Sequence, residues 1–160
     1  PCYAIATDLE TGDIAVFGDN DEDLLIDGLM SSAALVPVHP SWRVNGRRYV
    51  DGGFGAVLPV REAIERGATE IIALNLTTQL MPSEEVKTSF DMLNHTVHLL
   101  IRRQAIRDLE YAREHVALKT IDLRPPTYIS GQNFSQTTEL MELGRMIAKE
   151  ALPTMIGTYS

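Results

Sequence analysis

The chain has 160 residues, 44% hydrophobic and 22% charged, a composition that suits one globular domain or less with enough apolar material for a core. Fourteen basic against twenty-two acidic residues give a formal charge of −8, which argues against nucleic acid as a partner and offers no attraction to anionic membranes. No apolar run approaches the roughly 18 residues of a membrane span, and the lone Cys2 excludes an internal disulfide while leaving the compartment open, with a soluble cytoplasmic setting as the expectation.

Residues 2–7 read as a short apolar strand, 9–13 as a turn and 14–17 as a returning strand, so the chain opens on a hairpin or meander. Asp19, Asp21 and Asp23 offer caps and negative charge at the start of a helix carrying Leu24, Leu25, Gly28, Leu29 and Ser32. That helix must stop before Pro37. Next comes a hairpin: Trp42-Arg43-Val44, then Asn45-Gly46, then Arg47-Arg48-Tyr49-Val50. Asn-Gly favours a type I′ turn because both central residues take positive φ. A two-residue turn sets Val44 opposite Arg47 and Trp42 opposite Tyr49, an aromatic pair that pins the register.

The hairpin delivers Asp51-Gly52-Gly53 to a fixed point. The glycines lack Cβ atoms, so another backbone or a ligand can come close. Two readings stand side by side. Asp51 is a catalytic acid or base, or it is a strand-end aspartate that caps the next turn.

Beyond this motif, Pro59 is placed to open a helix that runs to Arg66 and stops at Gly67. Residues 71–76 are apolar on alternate and intervening positions alike, as in a strand buried inside a parallel sheet. Strand, helix and buried strand predict a right-handed βαβ crossover, with Asp51 at the carboxyl end of its first strand, where sites of open sheets gather. A polar loop over 77–83 precedes a long helix over 84–114. Its apolar stripe is Leu93, Val97, Leu100, Ile101, Ala105, Leu109, Ala112 and Val116. Residues 118–123 form another strand, stopped by Pro125-Pro126, and a last helix spans 136–152 until Pro153. The fold class is α/β, in three α/β/α layers.

This order of parts resembles the patatin-like phospholipase family: a small-residue helix end and prolines over 31–40, the Asn-Gly hairpin, Asp51-Gly52-Gly53, Leu58-Pro59-Val60, a helix and an apolar strand. Residues 6–12 and the stretch from Phe134-Ser135 to Leu143-Gly144 resemble it too. The resemblance implies a modified α/β-hydrolase-like fold and a serine lipid esterase or phospholipase. Such enzymes use a Ser–Asp dyad, with the serine in a Gly-x-Ser-x-Gly elbow and a glycine-rich oxyanion loop N-terminal to the region matched. Neither Gly-x-Ser-x-Gly nor Gly-x-Gly-x-x-Gly occurs in these residues. The resemblance therefore implies that residues 1–160 are the C-terminal segment of one catalytic domain. Pro1 in place of Met fits that reading. Asp51 would be the general base of a dyad whose serine lies in a missing N-terminal half, and the isolated chain would be inactive.

Gly52 and Gly53 would be support residues, and Ser31, Ser32, Leu35 and Val36 would line the acyl pocket or simply pack as a helix terminus. Ser31 and Ser32 lack the sharp strand–turn–helix presentation a nucleophile needs. Ala56-Val57 depart from the family, which often carries an asparagine shortly before Leu-Pro. His95 and His98 stand three apart on the long helix, a spacing open to a metal but without good carboxylate partners, so a structural pair is the expectation. His39, between two prolines, is either a pocket-rim residue or, as the expectation, a turn histidine, and His115 sits near a helix end that favours a cation. No metal or organic cofactor is implied. The expected partners are a lipid ester, the other half of the same domain and, through exposed apolar surface, a second copy. The alternative function is a non-catalytic interaction or scaffold module.

Overall fold

The computed structural model describes residues 1–36, 38–76, 79–129 and 134–156, and among these the side chains at 134 and 152–156 stand outside the description. The elements in chain order are β1 (Ala4–Asp8), β2 (Ile14–Phe17), α1 (Leu25–Ser32), β3 (Trp42–Val44), β4 (Arg47–Asp51), α2 (Val60–Glu65), β5 (Glu70–Asn75), α3 (Ser89–His115), β6 (Ala117–Asp122) and α4 (Thr137–Ile156). They form an antiparallel sheet in the order β2-β1-β4-β3 and a parallel pair, β5-β6. The class is α/β, as expected from the alternation of elements.

The central hairpin has the predicted register. Trp42 faces Tyr49 and Val44 faces Arg47, with Asn45 at φ 49° and Gly46 at φ 83°. The Trp42 indole N–H donates to Asp27 Oδ1 at 3.0 Å and ties β3 to α1. Ala4, Ala6 and Phe17 make the core of this sheet, joined by Val44 and Tyr49. Phe17 meets Tyr49 edge to face with centroids 5.3 Å apart, a favoured geometry for aromatic rings.

Helix α1 reaches β1 and β2 because Gly28 has no side chain. A Cβ there would lie 3.1 Å from Ala4 Cβ and 2.7 Å from Phe17 Cβ. Only Gly28 and Ser31 of this helix are buried, and Leu25, Ile26, Leu29 and Met30 face outward. Its expected acidic caps are also used elsewhere. The Asp23 carboxylate accepts the Gly18 and Asn20 N–H groups (2.8 and 3.3 Å), and Leu24 holds the cap position without a side-chain bond.

The expected crossover is corrected by the sheet order. β4 pairs antiparallel with β1 and with β3, whereas β5 pairs parallel with β6. The parallel unit is thus β5–α3–β6, one connection later than the sequence suggested. β5 is also not covered on both faces: Ala73 and Asn75 are buried, Ile72, Leu74 and the following Leu76 exposed. Apolar residues on both faces mark what a strand can bury, and covering the second face requires a further element.

Helix α3 begins at Ser89, after a short 3₁₀ turn over Ser83–Glu85, because Thr88 supplies a capping box. Thr88 Oγ1 accepts the Asp91 N–H at 3.1 Å, and Asp91 Oδ2 accepts the Thr88 N–H at 2.8 Å. The stripe splits into two halves. Ala105, Leu109 and Ala112 are buried, but Leu93 and Leu100 are 62% and 65% exposed. Gly67 stops α2 as predicted, at φ 87°, with its N–H on Ile64 O (2.9 Å). Helix α4 continues one turn past Pro153, whose missing amide removes a single bond near the helix end. Among the described residues no helix is long and apolar enough to cross a membrane.

Two polar contacts from α3 join it to the loop that leaves β4. Gln104 Nε2–H donates to the Gly55 carbonyl, and the Leu58 N–H donates to Asp108 Oδ2 at 3.3 Å. Alongside them, the Arg61 guanidinium of α2 lies over the Tyr111 ring of α3, 3.6 Å from its centroid.

Candidate active site

Asp51 is the last residue of β4, and its backbone is held on two sides. Its N–H donates to the Ala34 carbonyl at 3.1 Å, and its carbonyl accepts the Thr7 hydroxyl at 3.1 Å. The side chain caps the 3₁₀ turn over Gly52–Phe54, with Oδ1 accepting the Gly53 N–H at 2.7 Å. The capping reading of the sequence is therefore realised. It occupies only one carboxylate oxygen: Oδ2 takes no hydrogen bond among the described residues, and the residue is half-buried. A carboxylate so fixed, with one oxygen free, can accept a proton from a donor brought to it.

The two glycines are required by different neighbours. A Cβ on Gly52 would stand 2.4 Å from the Ile5 carbonyl oxygen, so β1 itself demands glycine there. A Cβ on Gly53 would meet the Asp51 carboxylate at 3.0 Å and disturb the cap. Gly55, two positions on, is pressed by Ile14 (2.9 Å) and Thr7 (3.0 Å). The close approach anticipated for this motif is made by the chain's own backbone. The strand-end placement of Asp51 holds, but its topological rationale does not, since β4 lies in an antiparallel sheet.

The proposed acyl-pocket residues divide. Ser31 is fully buried and its hydroxyl has no hydrogen-bond partner among the described residues, and Ser32 is half-buried. Leu35 and Val36 are exposed, at 46% and 41%. The segment reaches the site through Ala34, whose carbonyl holds the Asp51 N–H. Pro37, quoted within the same stretch, lies outside the described residues, as do 77–78 of the expected polar loop.

His95 is half-buried on α3, and among the described residues no group of three His, Cys, Asp or Glu side chains is placed to hold a metal. His115 ends α3, stacked on Tyr111 with centroids 4.0 Å apart, and its Nδ1–H donates to the Tyr111 carbonyl at 2.7 Å.

Two supporting carboxylates escaped the sequence reading. Asp8 is 3% exposed and organises the turn after β1: its Oδ1 accepts the Glu10 N–H (2.8 Å), and Arg47 Nη1 lies 3.1 Å from its Oδ2. Asp108 is buried, and that burial pushes its carboxyl above the usual range, against the Leu58 N–H and the Arg61 charge, which favour the ionised form. An aspartate on the buried stripe of a helix, one residue before Leu109, was the available signal for it.

Residues 4–64 match the family described as Patatin-like phospholipase. The match supports that family for the segment from β1 into α2, and with it phospholipase-type hydrolase activity in general and lipid as the substrate class. It covers the antiparallel sheet and the loop after Asp51. The elements β5, α3, β6 and α4 lie outside it, as do residues 134–144, where a resemblance was expected from the sequence. No curated protein matches the chain.

Proposed function

We propose that this chain is the acid-bearing segment of a serine lipid acyl hydrolase in which Asp51 is the general base of a Ser–Asp dyad. The observation that carries the reading is the free Oδ2 of a carboxylate whose backbone and other oxygen are already held. A serine hydroxyl is a poor nucleophile until a base within hydrogen-bond reach takes its proton. A dyad uses the carboxylate directly, without the intervening histidine of a triad. The serine then attacks the ester carbonyl, the protonated Asp51 gives its proton to the departing alcohol oxygen, and water hydrolyses the acyl-enzyme by passing a proton to Asp51, which returns it to the serine oxygen as the acid leaves.

The 160 residues contain no Gly-x-Ser-x-Gly, so the nucleophile and the N–H donors for the oxyanion come from another part of the same domain. Residues 1–160 are in this reading one segment of a single catalytic domain, and alone they are inactive. Gly52 and Gly53 shape the loop, and Ser31, Ser32, Leu35 and Val36 border the acyl site. The match over residues 4–64 supports the lipid class but not a headgroup or an ester position.

The test is hydrolysis of a p-nitrophenyl acyl ester by the full-length parent protein and its Asp51→Asn variant. Asparagine keeps an oxygen for the Gly53 N–H but cannot take the proton, so turnover should fall by roughly 10² to 10⁴ while the fold is kept. Unchanged turnover removes Asp51 from the chemistry.

A second reading, a non-catalytic interaction or scaffold module, is favoured by the outward apolar faces of α1 and β5. A parent that encodes no Gly-x-Ser-x-Gly upstream of Pro1 supports it.

A further inference from the structure

We infer that the crevice between α3 and the carboxyl ends of β5 and β6 binds a small oxyanion of the phosphate class. This inference goes beyond acyl hydrolysis and does not depend on Asp51. The hollow measures about 250 Å³ and is bordered by Arg102 and Arg113 of α3, by Thr120, Asp122 and Arg124 along and after β6, and by Asn75 at the end of β5. A volume equal to several water molecules holds a phosphate group with part of its substituent.

The charge balance points to an anion. Three guanidinium groups meet one carboxylate in a chain whose formal charge is −8. That carboxylate is already engaged: the Asn75 side-chain N–H donates to Asp122 Oδ1 at 2.6 Å, and Arg124 Nη2 lies 3.4 Å from Asp122 Oδ2. Arg102 and Arg113 have no ion pair or hydrogen bond among the described residues. They stand eleven residues apart on α3. Eleven steps turn through just over three whole helical turns, so both project on one side.

The location agrees with the topology. β5 and β6 are this chain's parallel strands, and ligands of such sheets collect beyond the strands' carboxyl ends. Arginine's planar fork pairs with two oxygens of a phosphate at once, and the Thr120 hydroxyl adds a neutral donor.

The experiment is calorimetric titration of the intact protein with inorganic phosphate and, separately, with a soluble dibutyryl phosphatidic acid. Phosphate should bind with Kd on the order of 1 mM, and Arg102→Gln and Arg113→Gln should each weaken it roughly tenfold. Arg103→Gln, on the same helix but away from the hollow, should leave it unchanged. Tighter binding of the phosphatidic acid assigns the site to a lipid headgroup, and equal affinity assigns it to free phosphate. Either result supports the site. No heat from either probe at about 10 mM overturns it. An equal loss in Arg103→Gln also overturns it, because net charge alone would then explain the binding. Melting temperatures of the three variants serve as the check that each is folded.

Discussion

Asp51 has a structural task, and the proposed chemical one rests on the fact that its two oxygens are not equivalent. One closes the turn with Gly53, and the other is free for a proton. Its neighbour Gly52 is the least replaceable residue nearby, since the atom opposing a new Cβ is a strand carbonyl and not a flexible side-chain tip. Gly52→Ala should therefore destabilise by about 2 kcal/mol or more, measured by urea unfolding, and a variant as stable as the parent would contradict the close approach of β1. Asp108 predicts a pH effect. Its folded-state pKa lies above the unfolded value, so between the two the folded state retains a proton that the unfolded state has released. Stability from this residue is thus lost as pH rises through that window. Asp108→Asn does not titrate and keeps an oxygen for the Leu58 N–H. Its stability advantage over the parent should widen as pH rises above about 4 and then level off. A narrowing advantage over that range, in unfolding midpoints against pH, would reverse the sign.

Among the elements, α3 is the one whose boundaries have the clearest local cause. The capping box at Thr88 satisfies donors that the first helical turn leaves open, which explains why the helix starts at Ser89 and not at residue 84. Thr88→Ala should lower stability by about 1 kcal/mol in thermal unfolding, and an unchanged melting temperature would show that this end is frayed. The Asn45-Gly46 hairpin was readable residue by residue, because turn type fixes register without help from elsewhere. The crossover was not readable. Strand, helix and strand in sequence satisfy a parallel unit equally well one connection earlier or later, and hydrogen bonding of β4 to β1 removes the earlier one.

At the scale of the molecule, the two sheets share no ladder among the described residues, and α2, α3 and the two polar contacts from Gln104 and Asp108 bridge them. Apolar residues remain outward on α1 (Leu25, Ile26, Leu29), on β5 (Ile72, Leu74) and on the first half of α3 (Phe90, Leu93, Leu100). Extended apolar patches of this kind drive association. Sedimentation of the isolated chain should show mass rising with concentration, and Leu74→Lys should reduce the rise. A monodisperse monomer would argue that these faces are tolerated in water.

Local chemistry by itself determined the hairpin, the Gly67 stop, the exit of Asp51 from its strand and the α/β alternation, because each depends on neighbours a few positions away. Only the tertiary structure decided that Gly52 is pressed by Ile5, that Asp108 holds Leu58, and that Arg102, Arg113 and Arg124 surround one hollow. Those relations join residues from eleven to fifty positions apart, and hydrophobic periodicity states which side of an element is apolar but not what will lie against it.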